Sequence, residues 1–235
     1  MRRRARHFNP KDAGATAAFD ARYGIAVAND AGVDAWTNRV GSNNATQADG
    51  AKRPLFKATG GNSSSPALLF DGTNDALTHS VAALGAPSLF MAVAQRTGGG
   101  SFAPVAAFMS PNTSNYSIIY SNGYGTGGAN WGLVPANSGQ SILNAWRILS
   151  AKPASTATSN SSTTVWTDGA NETTATSSRY GGDASDRRAI GSSTGGTDFF
   201  QGSISLVIAI PADVGNPLRK RLEHAAAYSF KISCN

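Results

Sequence analysis

The sequence predicts an all-β protein: a two-sheet antiparallel jelly-roll sandwich with one C-terminal helix and an extended N-terminal arm. Short apolar runs alternate with turn clusters rich in glycine and asparagine along most of the 235 residues, which include 26 glycines. Only 14% of the residues are charged, and the only glutamates are Glu172 and Glu223. Helical bundles need long runs of Leu, Glu, Lys and Arg at helical spacing, so this composition excludes a bundle.

The predicted strands are short and follow one another without helical segments between them. Glycine-containing pairs such as Asp168-Gly169 separate them and supply the positive φ angles that tight turns require. This spacing is typical of a sandwich or a jelly roll rather than of a βαβ fold. The predicted strands are residues 67–70, 88–94, 105–109, 116–121, 131–134, 146–151, 163–167, 189–191 and 203–210.

One segment near the C-terminus has the pattern of an amphipathic helix. Asn216 is a suitable N-cap, Pro217 suits the first helical position, and Leu218, Leu222 and Ala225 form an apolar stripe. The helix is therefore predicted to pack on the sandwich through this stripe. The basic residues between its members are expected on the outer, solvated face: Arg219, Lys220 and Arg221.

The formal net charge of +6 is concentrated near the two ends of the chain. Residues 1–12 are predicted to form a basic arm that docks on a neighbouring protein, and residues 13–235 to form one jelly-roll domain. No basic stripe with interleaved aromatic residues runs through the domain, so nucleic-acid binding is not expected. We also expect no membrane insertion, because no apolar stretch has the necessary length, and no secretory signal, because no apolar segment follows the first arginines. The arm's arginines are Arg2, Arg3, Arg4 and Arg6.

Three segments, found in order along the chain, resemble motifs of a known superfamily. They are residues 36–47 (WTNRVGSNNATQ), 70–77 (FDGTNDAL) and 200–204 (FQGSI). The set is similar to motifs of the laminin-G-like branch of the concanavalin A-like lectin and glucanase superfamily. The resemblance to this branch extends from about residue 8 to residue 232. The resemblance implies a two-sheet antiparallel jelly roll of a kind often used to bind glycans or protein surfaces.

The second of these segments contains a candidate metal site. Asp71, Asn74 and Asp75 place three hard oxygen side chains within five residues, which suits calcium. The alternative is a tight turn in which the Asp and Asn side chains accept backbone N–H bonds and Gly72 takes the positive φ. Some members of the resembling family hold calcium, although Asn74 stands where an acidic residue is usual. Calcium is the one cofactor considered; no other is expected.

A second candidate site is a loop rich in aromatic and amide side chains. Such side chains suit sugars, whose C–H faces stack on rings and whose hydroxyls need oriented partners. The alternatives are that the tryptophan belongs to the core, or that the loop contacts protein. The predicted ligand-binding residues are Tyr116, Tyr120, Asn122, Tyr124, Asn130 and Trp131.

Catalysis is not expected from the sequence alone. Glycoside hydrolysis needs two placed carboxyl groups. Glu172 lies in a Thr-rich turn and Glu223 on the predicted helix, so the two glutamates share no strand. A pair made only of aspartates is compatible with the sequence, but no motif supports it.

These observations together predict a non-catalytic surface or binding protein. The most specific expectation is a phage virion structural component, such as a decoration, fibre or tail-associated protein, made in the host cytoplasm. Its partners would be other virion proteins through the arm, a host-surface glycan, or further copies of the same chain. Two alternatives stay open: a stand-alone carbohydrate-binding lectin, and an unrecognised glycoside hydrolase.

Overall fold

The fold was analysed in a computed structural model. The structure describes residues 9–82, 88–98, 104–109, 116–120, 132–133, 142–153, 161–177, 188–192 and 198–234. Within these ranges the chain forms fifteen β-strands, three short 3-10 helices and one α-helix. The 3-10 helices are Pro10–Ala13, Gly50–Lys52 and Asn62–Ser64, and the α-helix, α1, is Asn216–Phe230.

The strands form two sheets, which we call sheet A and sheet B. Sheet A contains β1 (Ala17–Asp20), β4 (Leu55–Lys57), β5 (Ala67–Asp71), β7 (Leu89–Arg96), β11 (Arg147–Pro153), β12 (Ser161–Thr167), β13 (Ala170–Ser177) and β15 (Gln201–Ile210). Sheet B contains β2 (Ala35–Trp36), β3 (Ala45–Thr46), β6 (Leu77–His79), β8 (Pro104–Met109), β9 (Tyr116–Tyr120), β10 (Gly132–Leu133) and β14 (Ala189–Ile190).

Strand pairing is antiparallel in both sheets except between β9 and β10, which run parallel. The order in sheet A is β13-β12-β11-β7-β15-β5-β4, and β1 pairs with β15 beyond the end of β5. The order in sheet B is β10-β9-β8-β14-β6-β3-β2. The last strand of the chain, β15, therefore lies in the middle of sheet A.

Sheet A is covered on both faces, and this explains the long apolar runs of β7 and β15. In β7 the side chains alternate strictly: Phe90 and Ala92 belong to the core between the sheets, whereas Leu89 and Met91 belong to the core beneath α1. Strands buried on both faces carry near-continuous apolar sequence instead of alternating with polar residues. The molecule thus has three layers: sheet B, sheet A and the helix.

The core between the two sheets is built around large aromatic side chains. Phe19 lies 5.8 Å from Trp36 between ring centroids, and Phe70 meets Phe200 edge-on at 6.2 Å. Gly191 permits this packing, because a Cβ there would lie 2.1 Å from a carbon of the Phe70 ring. Its backbone also has φ 84°, a conformation that favours glycine.

Helix α1 packs on the outer face of sheet A through Leu222, Ala226 and Phe230. Its C-terminal end is held by Asn62, far away in sequence, whose Nδ2 donates to the carbonyl oxygens of Phe230 and Lys231 at 2.8 and 2.9 Å. These bonds satisfy two carbonyls that lack helical partners. No helix in the described part of the chain is long and apolar enough to cross a membrane.

The basic residues of the helix depart from the prediction. Arg219 was expected on the solvated face, but it is only 2% exposed and forms an ion pair with the fully buried Glu223 at 2.6 Å. Its guanidinium also lies 4.1 Å from the ring centroid of Trp166 on β12. The pairing of Arg and Glu at i and i+4 allows both charges to be buried, a relation that apolar periodicity does not reveal. The predicted cap also shifts by one residue, because Gly215 is the N-cap and Asn216 begins the helix.

The predicted two-sheet sandwich with one C-terminal helix is confirmed. All nine predicted strands occur, with bounds that differ by up to two residues. The turn at Asp168-Gly169 is also confirmed, with φ 52° and 80°. The strands that were missed are β1, β2, β3, β4, β6 and β13.

Candidate functional site

The turn that follows β5 is organised by the side chain of Asp71. Its Oδ1 accepts hydrogen bonds from the backbone N–H groups of Thr73, Asn74 and Asp75, at 2.8, 3.2 and 3.4 Å. Gly72 follows it with φ 79°, a conformation that favours glycine. The local sequence therefore folds as the tight turn that was one of the two interpretations of this segment.

Asp75 is the one carboxyl group of this turn that is buried. It is 6% exposed, and its Oδ2 accepts a hydrogen bond from the backbone N–H of Asp71 at 2.9 Å. Burial raises the pKa of the Asp75 carboxyl to about 6, and the charge of Asp71 adds to the effect, although the hydrogen bond from the Asp71 backbone opposes it. Asp75 thus holds its proton to a much higher pH than an ordinary aspartate.

Both aspartates line a cavity of about 390 Å³ at the end of β5. Gln201 lies directly opposite Asp71 in the register of β15 and β5. Arg53 reaches the cavity with its guanidinium anchored, since Nε donates to the carbonyl of Gln47 and Nη2 to that of Ala48, each at 2.9 Å. The full lining is Arg53, Leu55, Leu69, Phe70, Asp71, Asp75, Thr97 and Gln201.

The arrangement combines two carboxyl groups in different environments with amide and guanidinium groups. Asp71 is exposed and Asp75 is buried, and burial raises the pKa of the Asp75 carboxyl. Leu55 and Leu69 supply apolar surface beside them. Cavities with a few convergent polar groups and a carboxyl of shifted pKa are typical of ligand-binding and catalytic sites.

The predicted calcium ligands lie in this same turn. Three side-chain oxygens remain there that accept no hydrogen bond from the described residues: Oδ2 of Asp71, Oδ1 of Asn74 and Oδ1 of Asp75. Calcium takes six to eight oxygen ligands, so backbone carbonyls or water would have to supply the rest. In the described part of the chain no group of three or more His, Cys, Asp and Glu side chains is placed to hold a metal. Calcium binding stays a prediction.

The predicted glycan loop falls largely outside the described residues. Tyr116 and Tyr120 begin and end β9 in sheet B, and the remaining residues of that prediction lie outside the described ranges: Asn122, Tyr124, Asn130 and Trp131.

The arginines of the predicted arm, Arg2, Arg3, Arg4 and Arg6, also lie outside the described ranges. Docking through this arm and self-association stay predictions. Neither the arm nor the glycan loop is tested by the structure.

Comparison with known proteins identifies several solved structures that are similar in fold to this chain. No protein-family model matches the chain, and no curated protein matches it. Among solved structures it is similar to a GH54 α-L-arabinofuranosidase soaked with a cyclic sulfate inhibitor, with a TM-score of 0.60 and 14% identity over 95% of this chain and 66% of that one. An arabinofuranosidase complexed with arabinofuranosyl-α-1,2-xylobiose gives a TM-score of 0.58 and 14% identity, covering 95% of this chain and 65% of that one.

A third neighbour is a mutant of Trypanosoma rangeli sialidase that displays trans-sialidase activity. It has a TM-score of 0.50 and 12% identity, covering 95% of this chain and 34% of that one. The chain therefore spans just under two thirds of the arabinofuranosidases and about one third of the sialidase. At these identities the similarity establishes a shared β-sandwich fold.

These neighbours correct the functional prediction. We expected a non-catalytic phage virion component, whereas the arabinofuranosidase neighbours described above are glycoside hydrolases. The same finding contradicts the prediction that the chain is not an enzyme, and none of the neighbours described above supports a virion role. The sequence contains no motif of paired glutamates on one strand, and a pair made only of aspartates has no motif that reveals it, so the sequence alone did not indicate catalysis.

The sequence indicated Asp71 and Asp75 as candidate metal ligands or turn residues. Their spacing around Gly72 was visible, and it predicted a metal site or a turn. The burial of Asp75 depends on the packing of the end of β5 against the elements around it, which no local pattern encodes. Gln201 and Arg53 come to the cavity from distant parts of the sequence, and nothing in the sequence indicated that they meet the two aspartates.

Proposed function

We propose that this chain is a glycoside hydrolase whose reaction centre is the cavity containing Asp71 and Asp75. The observation that carries the proposal is the buried carboxyl of Asp75, which lines an open cavity beside a second, exposed carboxylate and has a pKa raised to about 6. Glycoside hydrolysis requires such a difference, because one carboxyl group must donate a proton while the other acts ionised.

The two aspartates take different parts in this reaction. Asp75 is the general acid, since it keeps a proton up to about pH 6, and its Oδ1 accepts no hydrogen bond from the described residues. The proton passes from Asp75 to the oxygen of the leaving sugar as the glycosidic bond breaks. Asp71 acts as the carboxylate that activates water or attacks the sugar. Its Oδ1 is fixed by three backbone N–H groups, so its Oδ2 is the oxygen left for this role.

The remaining groups of the cavity suit the binding of a sugar. The amide of Gln201 both donates and accepts hydrogen bonds, as sugar hydroxyls require, and Arg53 has a guanidinium already held in place by two backbone carbonyls. Leu55 and Leu69 offer apolar surface for the C–H face of a ring. The arabinofuranosidase neighbours support α-L-arabinofuranosides as the first substrate class to examine.

The fold and domain limits that accompany this proposal come from the sequence. We propose a jelly-roll connectivity like that of the laminin-G-like family, with residues 13–235 as one domain. The two sheets of the sandwich are consistent with this connectivity.

The proposal is tested by measuring hydrolysis of 4-nitrophenyl α-L-arabinofuranoside by the full chain. We expect turnover that falls as the pH rises above about 6, because Asp75 then loses the proton that it must donate. Asp75→Asn and Asp71→Asn should each lower kcat at least 100-fold, the lower end of what general acid or base catalysis contributes. Asp213→Asn is the matched control, because Asp213 is an exposed aspartate that pairs with Lys152 and does not line the cavity.

Two results would contradict the proposal. One is no turnover with arabinofuranosides or with a panel of 4-nitrophenyl pyranosides between pH 4 and 7. The other is turnover that persists in Asp75→Asn at the level of Asp213→Asn.

A further inference from the structure

A second cavity, of about 210 Å³, lies between α1 and the outer face of sheet A. Its floor is apolar and is formed by side chains from both layers. Its rim is polar and comes mainly from β1 and the residues that follow it, with Arg39 added from the segment after β2. The floor includes Met91, Leu206, Ile208, Leu222 and Phe230, and the rim includes Asp20, Arg22, Tyr23 and Arg39.

On the rim, Asp20 is neutralised by one arginine. The Asp20 side chain is 1% exposed. Arg22 donates two hydrogen bonds to its carboxylate, from Nε to Oδ1 at 2.9 Å and from Nη2 to Oδ2 at 2.6 Å. The Arg22 guanidinium also lies 4.5 Å from the ring centroid of Phe230 on α1. Arg22 and Asp20 therefore form a complete pair that joins β1 to the helix.

Arg39 adds a second positive charge to the same rim. It donates one further hydrogen bond to Asp20, from Nη1 to Oδ2 at 3.2 Å, and its guanidinium lies 4.1 Å from the ring centroid of Tyr23. Its Nε and Nη2 donate to none of the described residues. Because one carboxylate faces two guanidinium groups, these three side chains of the described rim carry an excess of one positive charge. Tyr23 covers one side of the Arg39 guanidinium and so orients its free N–H edge.

We propose that this cavity binds a small organic carboxylate with an apolar body. The N–H groups of Arg39 that donate to none of the described residues match the planar, two-oxygen geometry of a carboxylate, and the excess positive charge favours an anion over a neutral ligand. The apolar floor of Leu206, Ile208 and Leu222 favours a hydrocarbon or aromatic body over a heavily hydroxylated one. The site is separate from the Asp71–Asp75 cavity, with which it shares no lining residue, so it does not depend on the proposed hydrolase activity.

The test is a calorimetric titration of the full chain with benzoate, and with benzamide as the uncharged analogue of the same shape. We expect saturable binding of benzoate at one site and at least tenfold weaker binding of benzamide. Arg39→Gln should weaken benzoate binding at least tenfold. Arg221→Gln, which changes an exposed arginine on the helix surface, should leave it unchanged. N-acetylphenylalanine shows which kind of molecule supplies the carboxylate. If it binds more tightly than benzoate, the ligand is a peptide C-terminus; if it binds more weakly, the ligand is a free monocarboxylate.

Several results would overturn the proposal: no saturable binding of benzoate, equal binding of benzamide, equal binding of inorganic phosphate, or unchanged binding by Arg39→Gln. Arg39 is partly exposed, with 27% of its side chain accessible, so the variant is expected to fold, and thermal unfolding checks this. If Arg39→Gln does not fold, Arg39→Lys replaces it as the test, because lysine keeps the charge but lacks the planar guanidinium with two parallel N–H donors. Unchanged benzoate binding by Arg39→Lys would also overturn the proposal.

Discussion

Removing the charge of Glu223 should be among the most destabilising single changes in the helix. In Glu223→Gln the Arg219 guanidinium, 2% exposed beneath α1, loses the carboxylate that approaches it at 2.6 and 2.8 Å. Breaking a buried ion pair in this way leaves one charge uncompensated, which costs about 3–5 kcal/mol. The glutamine oxygen still accepts one hydrogen bond, and Trp166 still faces the guanidinium, so we expect a loss of about 3 kcal/mol.

Urea unfolding followed by tryptophan fluorescence measures this loss. The paired replacement Arg219→Met with Glu223→Leu should cost much less than the single change, because it removes both buried charges and keeps apolar volume. Lys52→Gln is the control, since Lys52 and Asp49 form an exposed pair whose loss should cost far less than the loss of the buried pair. The reasoning is refuted if Glu223→Gln costs no more than Lys52→Gln, or if the double variant is less stable than the single one.

Two further predictions concern the Asp75 carboxyl and Gly191. Because folding raises the pKa of Asp75 from 3.8 to about 6, the folded state holds this proton more tightly than the unfolded state; the resulting stability is present below about pH 4 and is lost as the pH rises through 6. The loss should be about 1–3 kcal/mol, measured by urea unfolding curves at several pH values between 4 and 7. Asp75→Asn should remove this pH dependence, and an equal pH dependence in the variant would contradict the assignment. Gly191→Ala should lower the free energy of unfolding by at least about 2 kcal/mol, because the new Cβ meets the Phe70 ring and φ is 84°. Gly50→Ala, where the added Cβ meets nothing within 4 Å, should change stability by less than about 0.5 kcal/mol in the same urea assay, and equal losses for the two variants would exclude this explanation.

The fold was predictable where the sequence pattern is long and local. The apolar runs of β7 and β15 and the Asp168-Gly169 turn are visible in the sequence because each depends on neighbouring residues alone. Strands of two residues, such as β2 and β3, are too short to leave a periodic pattern, and they are defined by the pairing of β2 with β3 and of β3 with β6. Strand β13 was missed for another reason: its sequence ANETTATS is polar and rich in threonine, and pairing with β12 decides its conformation.

The candidate site was predictable only in part. The sequence indicated Asp71 and Asp75 because their oxygens are close along the chain. The roles that we propose for them differ because Asp75 is buried and Asp71 is exposed, which the sequence does not show. Nor does the sequence show that Arg53 and Gln201 join them from other elements. The error for Arg219 has the same origin, since the partner that allows it to be buried lies one helical turn away and is not apolar.

The position of β15 in the middle of sheet A bears on how the protein is made. Its neighbours β5, β7 and β1 are all synthesised earlier, and the hydrogen-bonding edges that they offer to β15 stay unmatched until residue 210 has left the ribosome. Closing the sheet over such long separations slows folding, and unmatched strand edges with apolar faces attract other chains meanwhile. Nascent or truncated chains that stop before β15 should therefore be the species most prone to aggregate.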